Sequence, residues 1–301
     1  MKYQRILSYF DAVARTGSFR KAAERANITG SALVRRIQDL EQELGAPLFE
    51  RRARGVGLTT AGEMFLAYAR AQNAEAQRLA SQIEDMRGVR RGAVRISCSQ
   101  AAAPHLLPQA IARFTEKHPK ISFHVEVLDR EAAVSALADY RVDLVLVYRP
   151  APAAGVLHVL KRLPQKLVAL LPERHALAGK GPLRLRDCVR YPMALPERPL
   201  GARVLLEEFA GRAGIRIAPA VESNSFEMLR GCVRHTGLIS FQIEAGVARA
   251  RAKAMDGIVA RPIDERDAPP ADLILGQLRG RNLPVAAASF AEMFAEQLGT
   301  F

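Results

Sequence analysis

Ser31, Arg35 and Gln38 recur along one side of a segment whose other side carries Leu33, Ile37, Leu40 and Leu44. A hydroxyl, a guanidinium and a carboxamide on the outer face of an amphipathic helix are groups that read base edges, and a guanidinium can pair bidentately with guanine. Val34 borders the same face. Shortly after it, Arg51, Arg52 and Arg54 cluster at Arg52-Ala53-Arg54-Gly55. Guanidinium groups so gathered suit phosphates or a narrow minor groove, where the negative potential is strongest. The chemistry implied is recognition of duplex DNA.

These side chains need a scaffold. Ser18 reads as the N-cap of a short helix with Phe19, Ala22, Ala23 and Ala26 on its inner side. Asn27-Ile28-Thr29-Gly30 breaks that helix before the segment bearing Arg35 begins. Two short helices bury too little apolar surface alone, and Ile6, Leu7, Phe10, Val13 and Ala14 predict a third amphipathic helix ahead of them. Leu48–Arg51 and Val56–Thr59 bracket the arginine cluster as a two-stranded wing. On this reading Ser18, Arg20, Arg51, Arg52 and Arg54 position phosphates, while Ser31, Val34, Arg35 and Gln38 face the groove.

Residues 1–62 resemble the amino-terminal domain of LysR-type transcriptional regulators. The matching words are Ala22-Ala23-Glu24-Arg25, Leu40-Glu41-Gln42-Glu43-Leu44-Gly45, Leu48-Phe49-Glu50-Arg51 and Thr59-Thr60-Ala61-Gly62. Where the family usually carries Ser-Gln-Pro-Ala-Leu-Ser-Arg, this chain has Thr29-Gly30-Ser31-Ala32-Leu33-Val34-Arg35. Gly30 and Val34 thus replace a Gln and a Ser that family members often use on DNA, while Arg35 is kept. The resemblance makes Thr29 and Gly30 part of the expected DNA-binding set.

The chain has 301 residues, 49% of them apolar, enough for two or three domains with their own cores and too many for a disordered protein. Its formal charge of +13 suits an anionic partner. Residues 1–58 hold eleven Lys and Arg against six Asp and Glu, a net of +5, so a basic bias extends beyond the DNA-reading end. No apolar run approaches the roughly 18 residues of a membrane span, and Met1–Arg5 leads into an amphipathic helix rather than a signal peptide. A cytoplasmic protein with no membrane partner is expected. Cys98, Cys188 and Cys232 are odd in number and far apart, which argues against a disulfide framework, and no local feature marks an activated thiolate.

From Thr60 to Arg87 the absence of Pro and the abundance of Ala, Gln, Glu and Arg predict one helix of roughly 40 Å. In heptads, Gly62, Ala69, Ala76 and Ile83 share one seam position, and Phe65, Gln72, Leu79 and Met86 another. This reads as a dimerisation helix, and helices of that kind pair the LysR family. Residues 88–92, Gly-Val-Arg-Arg-Gly, form a natural hinge.

Beyond it, alternating strand and helix patterns predict parallel sheets wrapped by helices: strands at Val94–Cys98, Ile121–Val127 and Leu144–Val147, helices at Leu107–Phe114 and around Val134 and Leu137. A second set follows, with strands at Leu167–Leu171, Ala220–Glu222 and Leu238–Phe241 and helices at Val204–Phe209 and Phe226–Val233. Leu273–Gln277 and a helix from Leu283 toward Leu298 return the chain to the first set. The expected plan is an α+β multidomain chain: a winged helix-turn-helix at 1–59, a linker helix at 60–87, a hinge at 88–92, and a two-lobed α/β effector domain. Lobe I takes 93–163 and 268–301, lobe II 164–267, with hinges near Leu163-Pro164 and Asp267. The plan resembles LysR effector domains and, more distantly, periplasmic solute-binding proteins. Arg141-Val142-Asp143-Leu144 and His175-Ala176-Leu177-Ala178 resemble two short words of the family.

Open parallel sheets bind ligands beyond the carboxyl ends of their strands. The candidates for a small-molecule effector there are Ser99, Gln100, Asp129, Tyr148, Arg149, Glu197, Ser223, Asn224 and Ser225. Helix amino termini favour carboxylates and phosphates, so an anionic metabolite is expected, with Arg149 as its counter-charge. Asn224 with Glu227 also fits a capping box, Ser99 and Gln100 fit helix caps, and Arg149 fits a solvated surface charge. An enzyme reading lacks its motifs: there is no nucleophile elbow, no P-loop, no His-Glu-x-x-His, and the six histidines stand singly. No metal or cofactor is expected. A solute-binding protein leaves the first ninety residues unexplained, and an architectural DNA binder leaves the lobes unexplained. The sequence therefore points to a LysR-type regulator that binds a dyad site as a dimer or tetramer under the control of a small molecule.

Overall fold

A computed structural model describes residues 2–53, 55–86, 91–149, 155–198, 200–247 and 257–299. The chain forms two compact units, Met1–Val89 and Arg90–Phe301.

The first unit contains α1 (Lys2–Thr16), α2 (Phe19–Arg25), α3 (Gly30–Leu44), β1 (Phe49–Arg52), β2 (Gly55–Leu58) and α4 (Thr60–Met86). Its core is the expected set of stripes: Leu7, Phe10 and Val13 from α1, Ala22 and Ala23 from α2, Leu33, Ile37 and Leu40 from α3, joined by Leu48, Phe65 and Ala69. Phe10 is the hub, its ring 4.8 Å from those of both Phe49 and Phe65. Each fully buried aliphatic side chain contributes about 1.5–3 kcal/mol, so three elements hold what two could not. Leu44 departs from expectation and is 46% exposed, at the last turn of α3, which ends on a left-handed Gly45 (φ 67°).

The turn between α2 and α3 is made by Asn27 in the left-handed region (φ 53°), not by Gly30. Thr29 caps α3, accepting from the Ala32 amide at 3.3 Å, and Gly30 is already helical. Glu41 accepts from the amides of Leu48 and Phe49 at 2.7 and 3.1 Å and so ties the wing to α3. The wing is an antiparallel hairpin pairing Phe49 with Leu58 and Arg52 with Gly55. Thr59 caps α4, accepting from the Gly62 amide at 3.0 Å. At Gly62 an added Cβ meets the Leu48 carbonyl oxygen at 2.0 Å, so only glycine lets α4 pass this close to the wing.

The heptad expectation for α4 divides along its length. Gly62, Phe65 and Ala69 face the core of their own unit, whereas Leu79, Ile83 and Met86 are exposed. Residues 87–90, which include most of the expected hinge, lie outside the described residues.

The second unit begins with β3 (Gly92–Cys98), α5 (Leu106–Lys117), β4 (Ile121–Val127), α6 (Arg130–Ala138), β5 (Leu144–Tyr148) and β6 (Leu157–Gln165). It continues through β7 (Leu167–Pro172), α7 (Leu185–Cys188), β8 (Met193–Pro196), α8 (Gly201–Arg212), β9 (Pro219–Ser223), α9 (Phe226–Thr236) and β10 (Ser240–Ile243). It closes with β11 (Ile258–Pro262), β12 (Ala271–Leu278) and α10 (Val285–Gly299). One lobe is built on a five-stranded sheet in the order β4-β3-β5-β12-β6, the other on β10-β7-β11 with the parallel pair β8-β9 alongside.

The expected parallel sheets are found only in part. β3 runs parallel to β4 and β5, but β12 is antiparallel to both β5 and β6, and β7 is antiparallel to β10 and β11. Strands β6, β8 and β11 were not expected. β6 runs through Leu163-Pro164 and the chain leaves the first sheet at Gln165, whose Oε1 accepts from the Ala245 amide at 2.7 Å. At the return crossing Asp267 accepts from Arg184 at 2.6 and 2.8 Å and from the Leu185 amide at 2.7 Å. The two lobes share one continuous apolar core, with Ala101 and Tyr148 from one and Phe226, Phe241 and Ala245 from the other.

Candidate nucleic-acid interface and interlobe site

On α3 the two faces separate as the periodicity requires. Leu33, Ile37 and Leu40 are buried, Ser31, Arg35 and Gln38 are exposed, and Val34 is half-buried at the margin. Thr29 and Gly30 are exposed at the amino end, where the Thr29 and Ser31 hydroxyls lie 3.3 Å apart. A first turn offering two hydroxyls and the start of the helix, with Arg35 one turn further on, presents donors and acceptors of the kind base edges and phosphates accept. Ser18 caps α2, accepting from the Lys21 amide at 3.4 Å, and Arg20 projects from the same helix with its side chain 85% exposed. Arg51 is exposed on the wing.

Arg52 behaves differently from a free tip residue. Its Nε donates to Glu50 at 3.0 Å and its Nη2 to the Leu58 carbonyl at 3.4 Å, so the guanidinium lies back across the hairpin over Gly57. A phosphate contact by Arg52 requires exchanging Glu50 for the phosphate. Arg54 lies outside the described residues.

In the second unit the structure brings most of the proposed ligand residues to the seam between the lobes but gives several of them other work. The Ser99 amide donates to Leu146 at 3.0 Å, which sets the Ser99 hydroxyl beside the end of β5, two residues before Tyr148. Both the Ser99 Oγ and the Tyr148 Oη are buried without a hydrogen-bond partner, and burial pushes the Tyr148 phenol well above its usual range. Tyr148 packs on the start of α8: a Cβ on Gly201 meets its ring at 2.9 Å. Leu200, the cap of α8, supplies no side-chain acceptor to that helix's first amides.

Gln100 reaches across the seam and grips α9, donating to the Asn224 carbonyl and accepting from the Phe226 amide at 3.1 Å. Ser225, rather than Asn224, is the N-cap of α9, accepting from the Met228 amide at 3.2 Å, and Ser223 accepts from the Ser225 amide at 3.1 Å. Glu227, the other half of the expected capping box, turns instead to Arg230. Asp129 is engaged in capping α6 through the amides of Glu131 and Ala132 at 3.0 and 2.8 Å. Glu197 is exposed, its backbone tied to Ser223 and Leu200.

Arg149 is not an unpaired counter-charge. Its Nη1 donates to Glu208 of α8 at 2.8 Å, an ion pair from one lobe to the other. Its backbone is left-handed (φ 46°), held by its own amide to Asp272 and by Arg130 on its carbonyl. Sequence reading missed Glu208 and Gly201, since neither carries a local motif and both gain meaning only when α8 is laid on the end of β5. Cys98 and Cys188 are buried, and burial pushes both thiols up to about 12, which leaves them inert as nucleophiles. No helix among the described residues is long and apolar enough to cross a membrane.

Comparison with known proteins agrees with this geometry. The chain matches the bacterial regulatory helix-turn-helix of the lysR family over residues 5–63 and the LysR substrate binding domain over residues 87–299. It is 28% identical to the RuBisCO operon transcriptional regulator of Allochromatium vinosum over 96% of this chain and 94% of that one. A full-length OxyR variant from Pseudomonas aeruginosa superposes with a TM-score of 0.70 at 20% identity, covering 98% of this chain and 94% of the other. Full-length CbnR in complex with its target DNA superposes with a TM-score of 0.62 at 19% identity, covering 97% and 99%. With both of its units matched by the two family domains in the family's order, the chain belongs to the LysR family of DNA-binding transcriptional regulators.

Proposed function

We propose that two copies of this chain pair through α4 and present their α3 helices to successive major grooves of a dyad operator, as a dimer or as a tetramer of two such pairs. The observation that carries this reading is the division of α3 into a buried Leu33, Ile37 and Leu40 face and an exposed Ser31, Arg35 and Gln38 face. Pairing draws support from the outer half of α4, where Leu79, Ile83 and Met86 are 53, 43 and 87% exposed, an apolar stripe that a second copy can cover. The relative that regulates the RuBisCO operon and the structural neighbour bound to target DNA favour the same role.

A small anionic metabolite bound between the lobes modulates DNA binding. The unpartnered hydroxyls of Ser99 and Tyr148 beside the start of α8 are the groups that receive it, and Gln100, Ser223, Asn224 and Ser225 set the position of α9 around it. Asp129 and Glu197 are peripheral to this set. Ligand and DNA communicate because the ligand binds one arrangement of lobes better than another. The protein acts in the cytoplasm, and catalysis forms no part of the proposal.

A gel-shift titration with DNA from the promoter region of the chain's own gene against scrambled DNA of equal length tests the reading. Preference for the promoter DNA, with a protected dyad in a footprint, is expected. Equal affinity for both sequences overturns sequence-specific regulation and leaves a ligand-independent DNA binder or a solute-binding-type protein.

A further inference from the structure

The buried polar groups at the interlobe seam include three side-chain nitrogens without a hydrogen-bond partner among the described residues. On α9, Arg230 is 9% exposed; its Nη2 donates to the Gly246 carbonyl and, at 3.3 Å, to Gln242 Oε1, while its Nε finds no acceptor. Gln242 on β10 is 1% exposed, and with its oxygen turned to Arg230 its Nε2 also has no acceptor. From the other lobe comes His105 at the start of α5, with a buried Nε2 that has no partner and no capping bond to its own helix. The guanidinium of Arg230 is near enough to lower the proton affinity of this imidazole, after the larger effect of burial.

The backbone around these groups is arranged to bring the lobes together here. A Cβ on Gly246 meets Gln242 Oε1 at 2.6 Å and the Ala101 carbonyl at 3.4 Å, so glycine lets the Gln242 amide and the 99–105 stretch of the opposite lobe approach the same point. Among the described residues the carboxylate on Arg230 is that of Glu227, at 3.4 Å with its side chain 78% exposed, a weak counter-ion for a desolvated cation. Two N–H groups without an acceptor, one of them on a charged guanidinium, beside an imidazole nitrogen that can carry a proton, suit an oxygen-bearing anion better than a cationic group.

We propose that an anionic oxygen group, the carboxylate of the effector or a small inorganic oxyanion, seats on Arg230, Gln242 and His105 and bridges the two lobes. The assignment rests on the reading that the seam receives a small molecule, and it moves the counter-charge from Arg149, which Glu208 occupies, to Arg230. Because Gln100 grips the amino end of α9 and Arg230 lies one turn further along that helix, an anion here stabilises the closed arrangement of lobes. His105 joins as its Nε2–H tautomer or as the imidazolium, both of which donate from Nε2.

Thermal unfolding of the full chain in sodium formate, sodium sulfate and sodium chloride at matched ionic strength tests this. Formate or sulfate at ten times its dissociation constant is expected to raise the melting temperature by about 3 to 6 °C above chloride. The gain should vanish in Gln242→Leu, and the anion's affinity should fall at least tenfold in His105→Ala. A response to formate alone identifies a carboxylate seat, and a response to sulfate an oxyanion seat. As a variant-free readout, the 15N–1H resonance of Arg230 Nε should shift in proportion to bound anion. Equal melting temperatures in all three salts, or a gain that Gln242→Leu and His105→Ala both retain, overturn the proposal. Promoter-specific gel shifts and an effector response abolished by Tyr148→Phe would then persist, so this seat fails alone; loss of those responses in Tyr148→Phe's parent chain is instead a failure of the regulator reading.

Discussion

Asp143 stands where a single substitution should unlock the larger unit. Its carboxylate is fully buried and accepts from Arg95 Nη2 at 2.9 Å and Arg281 Nη2 at 2.6 Å on one oxygen, and from the Arg95 amide at 3.0 Å and its Nε at 3.2 Å on the other. Arg281 is itself nearly inaccessible, donates to the Val142 carbonyl at 2.9 Å, and lies over the Tyr140 ring at 5.1 Å. The middle of β3, the residue before β5 and the turn after β12 thus meet on one anion. Asp143→Asn keeps the shape, removes the charge, and turns an N–H₂ toward guanidinium groups that already donate. Breaking a buried pair while its cation stays buried costs about 3–5 kcal/mol. For a unit of this size that lowers the melting temperature by roughly 6–20 °C. Urea denaturation of the full chain measures it, and retained DNA binding reports that the first unit is still folded. Adding Arg281→Met to Asp143→Asn removes the stranded cation and should recover at least about 1 kcal/mol, a coupling visible in the double-mutant cycle. A loss below about 1 kcal/mol for Asp143→Asn would show that the charge is not what holds these elements, and the reasoning from burial would be wrong.

Arg35→Ala should weaken promoter DNA by about 1–3 kcal/mol while leaving random DNA nearly unchanged, whereas Arg52→Ala should weaken both alike; gel-shift titrations on the two DNAs separate a base reader from a phosphate contact. Gly62→Ala forces a Cβ to within 2.0 Å of the Leu48 carbonyl oxygen, and thermal unfolding should show a loss of at least about 1–3 kcal/mol in the first unit. Glu208→Gln removes the interlobe pair with Arg149; both side chains are about a third exposed, so stability should fall by only about 0.2–1 kcal/mol, and a larger drop in denaturant titration would mark the pair as a strong clamp. Asp267, held below the usual carboxylate range chiefly by its bonds to Arg184, contributes stability that is fully present above its unfolded value near 3.9 and is lost as pH falls through its folded value. Asp267→Asn should therefore flatten the acid limb of the stability profile, followed by circular dichroism from pH 7 down to 2.

Much of the DNA-reading end was legible because its signals are local. Leu33, Ile37 and Leu40 repeat at helical spacing and are buried, and the opposite face is exposed, since a helix maps sequence spacing directly onto direction in space. Thr29 and Gly30 needed coordinates: a glycine reads as a breaker, yet Asn27 turns the chain and Thr29 starts the helix. The heptads of α4 were read as one continuous seam, but Gly62, Phe65 and Ala69 fold onto their own unit, because apolar residues do not declare which neighbour they will meet. Among the ligand candidates, Ser99 and Tyr148 keep buried hydroxyls without a partner, while Asp129, Ser225 and Arg149 are occupied by caps and an ion pair.

The sequence by itself determined the order of helices, turn and wing, the outward face of α3, and the presence of two sheet-bearing lobes, since each depends on residues a few positions apart. Only the tertiary structure decided that β12 runs antiparallel into the first sheet, that Arg149 is spent on Glu208, and that Arg230 meets Gln242 with a nitrogen of each left without a partner. Those outcomes depend on long-range pairing and on which polar groups lose water together, and no local spacing encodes either.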